Sequence, residues 1–208
     1  MKRNLKLKKI EIALLVGLVA ALLWGAWSAS QQEALSRKMI RLHVIANSNT
    51  QEDQALKLQV RDEILTQATA ILEASADMVE AQEVLYASLG ELQQTAEAEV
   101  RAAGYDYRVS ARLEKTEFPL KTYDGFALPS GQYLALRIVI GDGAGENWWC
   151  VVFPPLCTAA ATEWEETAAD GGLAEEDISL ITGETEGYVL KFRSLELWER
   201  FRQWLKKI

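Results

Sequence analysis

From Ile12 to Ser30 the chain runs 19 residues without a charge, and no other feature limits its possible folds so much. The run is rich in Leu, Ala and Val and is long enough to cross a bilayer as a helix. It has no polar face, so it reads poorly as the core helix of a small domain. Lys2, Arg3, Lys6, Lys8 and Lys9 precede it and would keep the N-terminus in the cytoplasm. Ser28-Ala29-Ser30 offers the small residues that suit a signal peptidase. Residues 1–30 therefore read as a signal peptide or a retained signal anchor, and residues 31–208 as one exported domain.

Export changes the charge balance. The 208 residues carry a formal charge of -8, of which residues 1–30 contribute +4, leaving -12 on the exported part. Eleven acids and no Lys or Arg lie between Ile138 and Leu190. An acidic chain is a poor nucleic-acid binder, because neutralising phosphates needs a basic face. The acidity reads first as a solvated surface and second as a face that steers a basic partner. One histidine and two cysteines supply too few ligands for a four-coordinate zinc site, and no cofactor is implied.

Past the apolar run, Met39–Ala46 (MIRLHVIA) is a strand, with Leu42, Val44 and Ala46 on one side and Arg41, His43 and Ile45 on the other. Thr50 stands three residues before Asp53, a capping pattern that opens a helix carrying Leu56, Val60, Ile64, Ala68 and Ile71 to about Ala74. Asp77 and Glu80 open a second helix, with Val84 or Leu85, Leu89, Leu92, Ala96 and Val100 as its stripe and Gly104 as its stop. The period then falls to two through Tyr105, Tyr107, Val109, Ala111 and Leu113. Tyr133–Ile140 and Trp148–Phe153 are strands apolar on nearly both faces, and the seven-residue link Gly141–Asn147 predicts an antiparallel hairpin between them. Pro154-Pro155 must end the second of these strands. Short helices around Trp164 and Ile178, a last strand at Tyr188–Phe192 and an amphipathic closing helix complete the reading. The fold class is α+β: a single domain whose mainly antiparallel sheet packs on two long helices and a C-terminal helix, behind one N-terminal membrane helix.

Several residues invite a chemical reading. Cys150 and Cys157 form an even pair in an exported chain and can bridge only if the chain reverses between them, which Pro154-Pro155 would permit. Two buried free thiols are the alternative. A Cys–His nucleophile built on His43 finds no local support, since neither cysteine opens a helix. Asp142 and Glu146 in the glycine loop lack the spacing of a calcium site, and Gly141, Gly143 and Gly145 lack the following helix of a dinucleotide site. Trp148 and Trp149 point to opposite faces of one strand, so one can be core while the other is a binding anchor.

Two blocks carry a resemblance. IRLHVIANSNTQEDQALKLQVRDEIL (Ile40–Leu65) and FPLKTYDGFALPSGQYLALRIVIGDGAGENWWCVVFPPLC (Phe118–Cys157) resemble stage II sporulation protein R of endospore-forming bacteria. The likeness covers about residues 40–157 and departs from the family pattern at Leu120 and Asp124-Gly125. It implies a signal rather than an enzyme. Such a protein is made in the forespore and exported into the intermembrane space, where it triggers a membrane-embedded aspartic protease of the mother-cell membrane. That protease then processes pro-sigma-E. No activating residue carries over with the resemblance. Its two blocks place the contact surface at Arg41–Ser48 and Asn147–Cys157, with Arg41, His43, Asn47, Asn147, Trp148 and Trp149 as candidates. A cell-envelope hydrolase or a structural envelope protein are the other classes.

Overall fold

A computed structural model describes residues 2–157 and 163–182. The element order is α1 (Lys2–Ser36), β1 (Ile40–Ile45), α2 (Gln51–Leu72), α3 (Met78–Ala87), α4 (Leu89–Ala102), β2 (Val109–Phe118), β3 (Lys121–Thr122), β4 (Ala127–Leu128), β5 (Gly131–Ile140), β6 (Asn147–Phe153), α5 (Trp164–Asp170) and α6 (Glu175–Thr182). The class is α+β, and the main sheet is mixed, in the order β2-β5-β1-β6. β1 runs parallel to β5 and antiparallel to β6, β2 runs antiparallel to β5, and β3 and β4 form a separate antiparallel pair. The last strand and closing helix expected beyond Gly187 lie outside the described residues.

α1 continues the apolar run without a break. Its stretch Leu14–Ser36 is long and apolar enough to cross a membrane, and Leu15, Leu18, Val19 and Leu23 are exposed along it. Its last turn enters the domain: Leu35 and, just beyond, Met39 are wholly buried with Phe118, Leu128 and Tyr133. The end of α1 and the folded part therefore share one core.

The sheet divides two cores. On one face, Leu56, Val60, Ile64, Ala68 and Leu72 of α2 pack with Leu85, Leu92, Ala96 and Val100 against Leu42, Val44, Leu136, Ile138 and Ile140. Each such side chain contributes roughly 1.5–3 kcal/mol on burial. On the other face, the end of α1, β3–β4, α5 and α6 cover Phe118, Tyr133, Ala135 and Val151. Thr50 caps α2 by accepting from the Asp53 amide at 3.2 Å. Asp77 caps α3 by accepting from Val79 and Glu80 at 2.8 and 2.9 Å. The single helix expected over this region is two, since the backbone turns at Ser88 (φ -92, ψ 1). Leu85 and Leu92, on either side of that turn, both lie in the core.

The expected hairpin between β5 and β6 does not form. β1 lies between them, and Gly141–Glu146 passes over the end of β1 instead. Crossing one intervening strand needs only two strand spacings, about 10 Å, which six residues span easily. The crossing is tied down residue by residue. Gly145 N–H donates to Ala46 O (3.0 Å), Ala144 N–H to Asn47 O (3.1 Å) and Asp142 N–H to Asn47 Oδ1 (3.0 Å). Glu146 N–H donates to Asn49 Oδ1 at 2.7 Å, and Lys57 Nζ reaches Glu146 O at 3.2 Å. Gly141 sits at φ +57, and a Cβ at Gly145 would strike the Ser48 carbonyl.

Asp53 is the hub of this knot, accepting from Ser48 Oγ and from Asn47 Nδ2 at 2.9 Å. The Ser48 hydroxyl, with help from Asn47, holds its carboxyl below the usual carboxylate range. Asp53→Ala leaves both donors unpaired and is expected to cost about 1–3 kcal/mol in urea unfolding. The folded pKa is depressed, so the wild-type contribution is full above the unfolded carboxylate pKa and is lost as pH falls through the folded value. The variant's stability curve should lack that acid-side loss.

Candidate functional site

Strand register places the candidate residues. Arg41 and His43 of β1 stand beside Ala135 and Arg137 of β5 and beside Val151 and Trp149 of β6. Arg112 and Glu114 of β2 continue these two rows across the sheet, since they pair with Arg137 and Ala135. One row is therefore Arg112, Arg137, His43 and Trp149, and the next is Glu114, Ala135, Arg41 and Val151.

Arg41 is fully buried although it is a cation. Among the described residues no carboxylate neutralises it. Its Nη2 donates to Tyr123 Oη, its Nε to Cys150 O at 3.3 Å, and its guanidinium lies 4.1 Å from the Phe118 ring centroid and 5.0 Å from that of Tyr133. Burial lowers its pKa, while Tyr123 and Tyr133 work in the opposite sense. Aromatic faces and a carbonyl thus replace the usual counter-ion. Tyr123 also donates to Trp149 O at 3.3 Å, so the β3–β4 pair is fastened to β6 through Arg41.

His43 is 5% exposed and stacks on Trp149 with ring centroids 3.8 Å apart. Its Nε2 lies 2.7 Å from Asn147 Oδ1, to which it donates as a neutral imidazole, while Nδ1 has no partner among the described residues. Burial pushes its pKa down to about 4, against the raising effect of the Asn147 bond.

Trp148 and Trp149 do point to opposite faces, and both are half-buried. Trp148 packs on the helical core, with the Arg61 guanidinium 4.7 Å from its ring. Trp149 joins the other core, 4.6 Å from Phe118. Asn147 is exposed, and Asn47 belongs to the loop knot. The fold thus gathers Arg41, His43, Asn147 and Trp149 on one face, puts Trp148 on the other, and places Asn47 at the end of β1. Among the described residues no cluster of three His, Cys, Asp or Glu could hold a metal ion.

Cys150 and Cys157 are joined as a disulfide, with Cα atoms 6.1 Å apart. The chain reverses at Pro154-Pro155, where Leu156 N–H returns to Pro154 O at 2.8 Å. Cys157 Sγ also accepts from Val151 N–H at 3.2 Å, which covers part of the outer edge of β6.

Arg112, Glu114 and Arg137 escaped the sequence reading. Their signal, two charges at alternating positions of β2 and one in β5, acquires meaning only when register sets them side by side. Arg137 Nη1 bridges Glu114 at 3.0 Å, with side chains 32% and 39% exposed.

Comparison with known proteins fixes the family. The family model for stage II sporulation protein R matches residues 36–163. The chain is also 32% identical over 165 residues to stage II sporulation protein R of Bacillus subtilis (strain 168), covering 76% of this chain and 74% of that protein. The chain belongs to the stage II sporulation protein R family. No solved structure matches it.

Two stability measurements check this geometry. Reducing the disulfide, which closes a separation of 7 residues, should cost about 2–3 kcal/mol in the chain-entropy model. The pH dependence follows from His43, whose folded pKa of about 4 lies below its ordinary 6.5. The unfolded chain takes up a proton first, so stability is full above pH 6.5 and falls as pH drops toward 4, by roughly 3 kcal/mol. His43→Gln should flatten that part of the curve in chemical denaturation.

Proposed function

We propose that this chain is an exported intercompartmental signal of sporulation. It leaves the forespore, engages a membrane-embedded aspartic protease of the mother-cell membrane, and thereby causes processing of pro-sigma-E. Family membership is the observation that carries this reading. The anchor-like helix α1, whose last turn is built into the domain core, is consistent with presenting the domain at the outer membrane surface.

Such a signal works by differential affinity. It activates the protease only to the extent that it binds the active state more tightly than the inactive one. A tenfold bias toward the active state requires about 1.4 kcal/mol of differential contact, a modest demand for one interface. The face bearing His43, Asn147 and Trp149 is our choice for that contact. Arg41, buried beneath it, holds the β3–β4 pair and β6 in place.

Reconstitution tests the proposal. The protease and pro-sigma-E are co-expressed in a non-sporulating host with the full chain, without it, or with a form lacking residues 1–30 that stays inside. Loss of the pro-segment only with the exported full chain is the expected result. Processing that is independent of this chain, or absent with both partners folded and this domain exported, would overturn it.

A further inference from the structure

We propose that the row Arg112–Arg137, beside Trp149, receives an acidic segment of a partner protein through its carboxylates. This deepens the function proposed above by naming the chemistry of the contact, and it rests on that reading only for the partner's identity.

The starting point is an electrostatic conflict. Arg112 and Arg137 occupy directly paired positions of adjacent antiparallel strands. Residues so placed have Cα atoms about 5 Å apart, and like charges there repel. Glu114 relieves Arg137 alone, at 3.0 Å. Arg112 is exposed and has no hydrogen-bond or ion-pair partner among the described residues.

The chain does not lack acids for neutralising this pair. Residues 31–208 carry -12, yet among the described residues only Glu114 is set against the two arginines. A basic spot within an acidic surface favours only a short acidic stretch, one that touches the arginines and little of the acidic surround. Arginine forks suit that task, because each can take a carboxylate through two parallel N–H donors.

The neighbours supply the remainder of a recognition surface. Trp149, next but one in the same row, is half-buried and rigidly stacked on His43, and it gives an apolar platform beside the charges. Asn147 is exposed at the near end of β6. On one side Gly143 of the crossing loop lies against Val139 and Ile45, and on the other Phe118 and Tyr133 are buried under the second core. The arginine row stays at the surface between them. The occupant fitted to it is an acidic polypeptide segment with an apolar residue near its carboxylates.

The test uses the full chain in nanodiscs, with its arginine side chains labelled for NMR, and hexaglutamate as the probe. Arg112 and Arg137 signals should shift saturably with hexaglutamate and not with hexalysine, and the shift should fade at about 0.5 M salt. Arg112→Glu should weaken binding about tenfold. Glu114→Gln frees Arg137 and should strengthen it, a gain that a purely structural role for the pair would not produce. Arg112→Gln serves if the reversed charge disturbs folding, and thermal melts report on folding throughout. No shift at these arginines overturns the proposal, as does binding of anionic vesicles without any response to hexaglutamate.

In the reconstituted system, the same Arg112→Glu chain should reduce pro-segment cleavage about tenfold. Unchanged cleavage would overturn this inference and leave the signalling function standing. If the wild-type chain drives no cleavage, the signalling proposal falls, and the peptide titration still decides the arginine site.

Discussion

β1 between β5 and β6 is the constraint on which the rest of the structure depends. A strand with neighbours on both edges and cores on both faces has every residue buried, and Ile40–Ile45 is buried throughout. A polar side chain on such a strand must find partners inside the protein. Arg41 finds rings, a phenol and a carbonyl, while His43 finds Asn147 and Trp149. The loop joining β5 to β6 must then pass over the end of β1, and Asn47, Ser48, Asn49 and Asp53 are the means of holding it there.

This arrangement assigns physical roles to sequence that otherwise looks functional. The Asn47-Ser48-Asn49-Thr50 stretch supplies a helix cap and the acceptors that fix the crossing loop. The glycines of that loop answer to backbone conformation and close approach at Gly141 and Gly145. Arg41 joins two layers as a buried cation without a carboxylate, an unusual choice because isolated buried charge is costly. Its guanidinium is planar and weakly hydrated, which makes it the cation best suited to aromatic surroundings. What remains for recognition is the surface row beyond it, where charges face outward and are only half paired.

The junction between α1 and the domain has a similar economy. α1 leads from its apolar stretch into the second core through Leu35 and Met39, without an intervening linker. A helix packed in this way restricts how the domain can turn relative to it, whereas a flexible tether would allow many orientations. Membership of the stage II sporulation protein R family gives this geometry its biological setting.

Much of this was legible in the residues alone. The uncharged run marks α1, Thr50 and Asp77 mark the starts of α2 and α3, and alternation marks β2. These are local signals: a cap or a periodicity is complete within a few residues. The chain order of two doubly apolar strands carries no record of which neighbour each will take, so the hairpin reading placed β5 beside β6 and left out β1. Periodicity likewise continued through Ser88, where a small change of backbone angle redirects the helix. Sequence determined most of the helices and strands, the apolar run and the family blocks, because each is written in contiguous residues. Tertiary structure alone decided that Arg41 is buried, that His43 sits between Asn147 and Trp149 and that Arg112 stands opposite Arg137, because those facts depend on register between strands far apart in the chain.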